Sequence, residues 1–424
     1  MINKERLISM IDLLIVLMAS GFCAVDTVNG WMQMNEISLP LSISQIYKFP
    51  LLILFCSRIF LSKRVEGWYV LVTLFIFSFY YTYHSLSQNF IDHLADFTIN
   101  LKVSLFFFAC FYFVNLARSR PDFYRIWFDR IVTANFVALF INIVLGAFGF
   151  GFKQYWGGIG SVGFLYAGNE VSALMLFMAT FIFSKAWGKG ILWYGLSGIL
   201  LFGMSVLAAT KVAILGMMIL FILVPLFIER KRFLFLNQKR LFGIAIGASL
   251  VFVAILLLPT LLEEVGLMNR WRFWYKKYDN DLITLLLSGR NMVFLESQNV
   301  LSNSYSFIDI LFGKGYSNFV HLLSDYTRKN ISVELDAVDV FYSYGIVGCF
   351  LLYGFYVWCV SLGFNNMNKS NFPMAPQATL FLMILVAVGL ISGHVIFSGM
   401  GALFYGLAVS AIFYQSSETD VARN

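Results

Sequence analysis

The sequence predicts an all-α polytopic membrane protein, with about 12 transmembrane helices and one large loop on the outer side. Three observations predict it. Of the 424 residues 59% are hydrophobic and only 12% charged, about half the charged share usual in a soluble domain. Apolar runs long enough to cross a bilayer recur from end to end. One interval, 263–337, breaks the series with Trp, Tyr and charged residues, and a long ordered loop of this kind usually carries function.

At roughly 20 residues per crossing, the expected spans lie near 7–25, 41–61, 67–86, 97–117, 131–149, 163–184, 191–208, 211–228, 241–262, 338–363, 378–396 and 399–415. The chain thus divides into helices 1–9 over 1–262, the loop over 263–337, and helices 10–12 with a tail over 338–424. The first apolar run, Leu7 to Val25, is too long for a signal-peptide core and has no small-x-small cleavage site, so it should remain a helix.

Basic residues set the orientation. Lys63 and Arg64, then Arg118, Arg120, Arg125 and Arg130, then Lys185 and Lys189, then Arg230 to Arg240, and finally Lys369 fall in alternate linkers. Asp26, Glu36, Asp92 and Asp96 fall in the others. This alternation places both termini in the cytoplasm and the large loop outside. It also assigns the net charge of +7 to membrane orientation and not to nucleic acid. The five cysteines lie in or beside apolar segments without metal-ligand spacing, and they read as packing residues.

Several residue sets could carry chemistry. Ser288-Gly289-Arg290 precedes an expected helix, Met292 to Leu301; Ser288 would cap it and put Arg290 in the first turn, where a guanidinium and free N–H groups suit a phosphate. The alternative is a surface arginine paired with Glu296 or solvent. The run from Asn269 to Tyr278 interleaves Arg270, Arg272 and two lysines with aromatics, which fits an anionic headgroup, a sugar face or an interfacial belt. Gly313-Lys314-Gly315-Tyr316 reads as a tight turn holding a cation and an aromatic ring. Glu334, Asp336 and Asp339 open an apolar helix, with Asp336, Asp339 and Ser343 on one face. Such carboxylates act either as general bases or as charge compensation at a helix N-terminus. Within spans, Glu170, Lys211 and His394 are ionisable groups of the kind that marks function or a structural pair, such as Glu170 with Lys211.

Together these segments resemble the O-antigen polymerase and ligase superfamily. The matching pieces, in order, are Gly168-Asn169-Glu170, Thr210-Lys211, Ser288-Gly289-Arg290, Gly313-Lys314-Gly315-Tyr316, Glu334 to Asp339 leading into Tyr344-Gly345-Ile346-Val347-Gly348, and Ser392-Gly393-His394. They cover about residues 165 to 400; earlier residues resemble only membrane helices. The resemblance implies a GT-C-like glycosyltransferase of the bacterial inner membrane with a periplasmic site. Its donor would be an undecaprenyl-diphosphate-linked oligosaccharide, with no cofactor and no metal. It also implies a chain-length regulator and a flippase as neighbours. Arg290 matches the outer-loop arginine of the family that grips the diphosphate. Ligases of this superfamily often carry a His-Asn pair where this chain has Asp336 and Asp339, which makes it more similar to the repeat-unit polymerases.

The expected reaction joins repeat units, with Arg290 helped by Arg270, Arg272 or Lys211 at the diphosphate and Asp336 or Asp339 as base. Glu170, Lys314, Tyr316, Glu334 and His394 are the further expected substrate contacts. The rivals are a ligase of the same superfamily and a precursor flippase. No repeated half of the chain supports the flippase.

Overall fold

The computed structural model describes residues 4–37, 39, 41–62, 66–85, 90–154, 160–165, 168–229, 263, 267–393 and 395–416. Nearly all of these are helical. The first group comprises α1 (Lys4–Ser20), α2 (Phe22–Met34), α3 (Ile43–Ser62), α4 (Glu66–Ser85), α5 (Phe90–Ser119), α6 (Pro121–Ala147), α7 (Gly168–Lys189), α8 (Ile191–Ala208) and α9 (Lys211–Glu229). The loop holds α10 (Leu267–Lys277), α11 (Leu282–Leu286), α12 (Arg290–Ser304), α13 (Phe307–Phe312) and α14 (Tyr316–Thr327). The chain then returns through α15 (Asp336–Asn366), α16 (Ala375–Ser392) and α17 (Ala402–Phe413).

Eight of the described helices are long and apolar enough to cross a membrane, and nine if α1 and α2, bent by 49° at Gly21, form one span. The protein is therefore a multi-pass membrane protein. The expected first span runs on past Val25 as this bent pair, and α4 occupies the expected third span but ends in the polar run Tyr80 to Ser85, outside the eight. The expected twelfth span shrinks to the 12 residues of α17, because residues 395–401 are not helical. The expected ninth span, 241–262, lies outside the described residues.

α7 and α17 are buried on nearly every side, as uniformly apolar helices should be when they form the centre of a bundle. α5 and α16 pack against this pair. Near the end of the bundle away from the loop, Asp12 of α1 is fully buried and pairs with Arg58 of α3 at 2.7 Å and with Arg120 at 3.2 Å. Ion pairs inside apolar surroundings tie helices together because neither partner can be left alone there.

The loop folds on its own small core of Val300, Phe319, Leu323, Val333 and Tyr342, with Phe319 and Tyr342 stacked at 4.4 Å. Asp96 of α5 accepts from the Ser317 N–H at 2.8 Å, and Asp92 meets His321 at 2.9 Å. These contacts tie α14 to the end of α5.

α15 is kinked at Gly345, which has φ +68° and ψ −171°. The kink removes helical donors from three carbonyls, and outside groups replace them. Tyr342 O accepts from Lys314 N–H at 3.1 Å, Ser343 O from Gly315 N–H at 3.0 Å, and Tyr344 O from the Tyr80 hydroxyl at 2.9 Å. Gly313 and Gly345 allow the two backbones to touch: a Cβ on Gly313 would collide with Ser343 O, and one on Gly345 with Leu311 O. Gly345→Ala should therefore lose about 1–3 kcal/mol from its left-handed backbone alone, with the collision in addition. A detergent-stability melt should show a lowered midpoint, and an unchanged one would mean the kink relaxes freely.

Candidate functional site

The segments that carry the superfamily resemblance are far apart in sequence, and the fold gathers them at the loop-side end of the bundle. α8 ends in a left-handed residue, Ala209 (φ +56°), and the Thr210 hydroxyl accepts from Ala213 N–H at 3.2 Å to cap α9. That turn makes Lys211 the first residue of α9. Its ammonium donates to the Leu285 carbonyl and, at 3.2 Å, to the Ser288 hydroxyl. Lys211 thus pins the turn from which Arg290 leaves, and it does not pair with Glu170.

The lead-in to α12 differs from the expected cap. Ser288 and Gly289 are both left-handed (φ +56° and +82°), and Gly289 is the N-cap without a side-chain bond. The hydroxyl of Ser288 is taken by Lys211 because the left-handed turn points it away from the helix N–H groups. Arg290 does occupy the first turn. Its Nη2 donates to Glu334 Oε2 at 2.9 Å, in place of Glu296 or solvent. Its Nε is buried and meets no acceptor among the described residues, an arrangement proteins avoid unless something else supplies the acceptor.

Arg270 and Arg290 both act electrostatically on Lys211 and on the Tyr278 hydroxyl. Three cations from α9, α10 and α12 therefore converge. Burial raises the Tyr278 phenol above its ordinary value, with the two guanidiniums opposing it. Tyr278 thus joins the candidate site, where the sequence had it only as the end of the basic, aromatic run. The signal was present: Arg270, Trp274 and Tyr278 stand at i, i+4 and i+8, one helical face. Arg272 falls on another face and pairs with Glu263 at 2.6 Å, well exposed, apart from the cluster.

Glu334 faces these cations with 41% of its side chain exposed. Its backbone is left-handed at φ +60°, an uncommon state for a residue with a side chain. Asp339 holds it there, accepting from Val333 N–H at 3.0 Å and Glu334 N–H at 3.1 Å, one on each oxygen. Gly393 leaves room for the Glu334 carbonyl, with which a Cβ at that position would collide. Asp336 is fully buried, and one of its oxygens accepts from both Val395 N–H at 3.0 Å and Ile396 N–H at 2.9 Å. The two aspartates share the expected helical face but serve two different backbone segments.

Glu170 serves the same 395–401 segment. Its carboxylate accepts from the Ser398 hydroxyl at 2.6 Å and from Met400 N–H at 3.3 Å, while the Asn169 amide donates to Ser392 O at 3.2 Å. Lys314 pairs with Asp309 at 2.9 Å and sits over the Tyr305 ring, a contact internal to the loop. Burial would raise the Asp309 carboxyl, but the Ser306 N–H and Lys314 overcome this and hold it below its usual range. The Tyr316 ring lies 6.0 Å from Phe397. Its phenol is raised by burial, opposed by Ser332 and reinforced by the nearby Asp339, Glu334 and Asp96. His394 lies outside the described residues.

The result is a cationic cluster of Lys211, Arg270 and Arg290 beside one half-exposed acid. Around it, a scaffold of Glu170, Asp336 and Asp339 holds the neighbouring loop backbone. Such a cluster suits an anionic group with several oxygens and charge that grows on a leaving atom. A search of curated proteins returns no match. Residues 260–415, from the approach to α10 to the end of α17, match the family model described as O-antigen ligase like membrane protein, within the superfamily that the motifs resemble.

Proposed function

We propose that this protein is a polymerase of surface-polysaccharide repeat units, a glycosyltransferase acting at the outer face of the bacterial inner membrane on undecaprenyl-diphosphate-linked oligosaccharide. The convergence of Lys211, Arg270 and Arg290 from three separate segments carries this reading. In the reaction the bond between the reducing-end anomeric carbon of the growing chain and its diphosphate oxygen breaks. A hydroxyl of the incoming unit forms the new glycosidic bond and loses its proton. The diphosphate leaves with the bonding electron pair, and the three cations stabilise that charge.

Diphosphate also competes with Glu334 for the Arg290 fork. Binding therefore frees a carboxylate at the site, and Glu334 takes the proton of the attacking hydroxyl. This assignment moves the base from Asp339, both of whose oxygens accept backbone N–H groups, and from Asp336, which is fully buried and holds two backbone N–H groups on one oxygen. The two aspartates then position Glu334 and the 395–401 segment.

The description of the matching family favours a second reading, a ligase that passes finished polymer to a lipid acceptor. Deleting the gene in its host and resolving the surface polysaccharide on a gel separates them. A single repeat unit in place of a ladder supports polymerisation. Polymer accumulating on the lipid carrier, with the acceptor bare, supports the ligase and overturns the polymerase.

A further inference from the structure

A second feature begins at the loop-side end of the bundle and runs toward the opposite end. Between α4, α5 and α15 is an apolar groove of about 450 Å³, within the range of ligand pockets. It begins near Tyr80 and Tyr344 and ends at Trp358, Phe413 and Arg118. Along α15, from Tyr344 to Trp358, that is about 20 Å at 1.5 Å per residue. The groove is thus longer than one leaflet of a hydrocarbon core about 30 Å thick.

At its far end the groove meets a second hollow, of about 610 Å³, with which it shares Arg118 and Phe413. This hollow is polar where the groove is not: Asn366, Gln415 and Ser416 line it with Arg118. Lys369 stands at its rim, donating to the Asn366 side-chain oxygen at 3.0 Å and lying over the Phe372 ring. Arg118 is exposed and stacks on Phe413 at 4.7 Å, so its guanidinium is steered to the junction of the two spaces. A long apolar slot that opens into a basic, hydrogen-bonding hollow matches one chemistry, an acyl chain joined to an anionic headgroup.

We propose that this is a specific site for an anionic membrane phospholipid, with its phosphate headgroup at Arg118 and Lys369 and one acyl chain along the α4–α5–α15 groove. The polarity of the site argues for a phospholipid over the isoprenoid tail of a sugar carrier. The groove's charged end is the end away from Lys211, Arg270 and Arg290, whereas a carrier's diphosphate must lie among those three. The proposal concerns a lipid held by the fold and stands whether the protein is a polymerase or a ligase.

The test is native mass spectrometry of the delipidated full chain titrated with phosphatidylglycerol, phosphatidylcholine or undecaprenyl phosphate. One phosphatidylglycerol should be retained about thirtyfold more tightly than phosphatidylcholine, as expected for two basic side chains at a headgroup. Arg118→Gln should cut that preference to about fivefold, and Arg118→Lys should keep most of it. Leu351→Trp, which fills the groove from its partly exposed wall, should lower binding of both phospholipids. Circular dichroism and a thermal melt of each variant establish that it is folded. Equal retention of the two phospholipids, unchanged in Arg118→Gln, would mean ordinary annular lipid and overturn the proposal. So would undecaprenyl phosphate displacing phosphatidylglycerol with no effect of Arg118→Gln, which would assign the groove to the carrier tail.

Discussion

Arg290→Ala should reduce transfer between lipid-linked oligosaccharides by about 10²–10³-fold, the usual effect of removing one donor aimed at developing charge. The chain should still insert and fold, because Arg290 opens a loop helix whose small core, Val300 to Tyr342, does not use it. Arg290→Lys should recover only part of the activity. A lysine keeps the charge but loses the fork that reaches Glu334 with one nitrogen while leaving Nε buried and available. The measurement is chain growth by the purified protein on a synthetic lipid-diphosphate repeat unit. Full activity in a folded Arg290→Ala protein would remove the cation cluster from the mechanism.

Glu334→Gln and Asp336→Asn should separate chemistry from scaffolding. Glu334→Gln retains size and hydrogen bonding but cannot take a proton, so transfer should fall by about 10²–10⁴-fold. Asp336 binds both of its N–H partners through a single oxygen. An asparagine can present its amide oxygen to the same pair, so Asp336→Asn should stay within about tenfold of the parent if its role is positional. Asp336→Ala strands two buried N–H groups at about 1–3 kcal/mol each and should lower both stability and activity. Asp339 uses both oxygens, so Asp339→Asn sets an amide NH₂ against an N–H and should damage the Glu334 turn. An inactive but folded Asp336→Asn beside an active Glu334→Gln would return the base to Asp336.

Much of the site was legible because membrane segments make ionisable residues conspicuous. Lys211 and Glu170 stand out against apolar neighbours, Arg290 and the acids at 334–339 stand in the one long polar loop, and their order, spacing and span topology together resemble a superfamily. Partners were not legible. Arg270 and Arg272 are two residues apart in the same basic, aromatic run, yet only Arg270 joins the cluster, because one helix turn sends them to different faces. Ser288 looked like a cap until a left-handed turn gave its hydroxyl to Lys211.

That this is a multi-pass helical membrane protein follows from the sequence alone, since hydropathy and charge spacing are local properties that the bilayer reads residue by residue. Which acid faces the Arg290 guanidinium depends on contacts made in the fold. Glu334, Asp336 and Asp339 lie within six residues and carry the same functional group. Their roles part because the 395–401 backbone and the turn at Glu334 each need acceptors for buried N–H groups. A buried N–H must be paired, so two carboxylates are taken by the backbone and the third is left at the site.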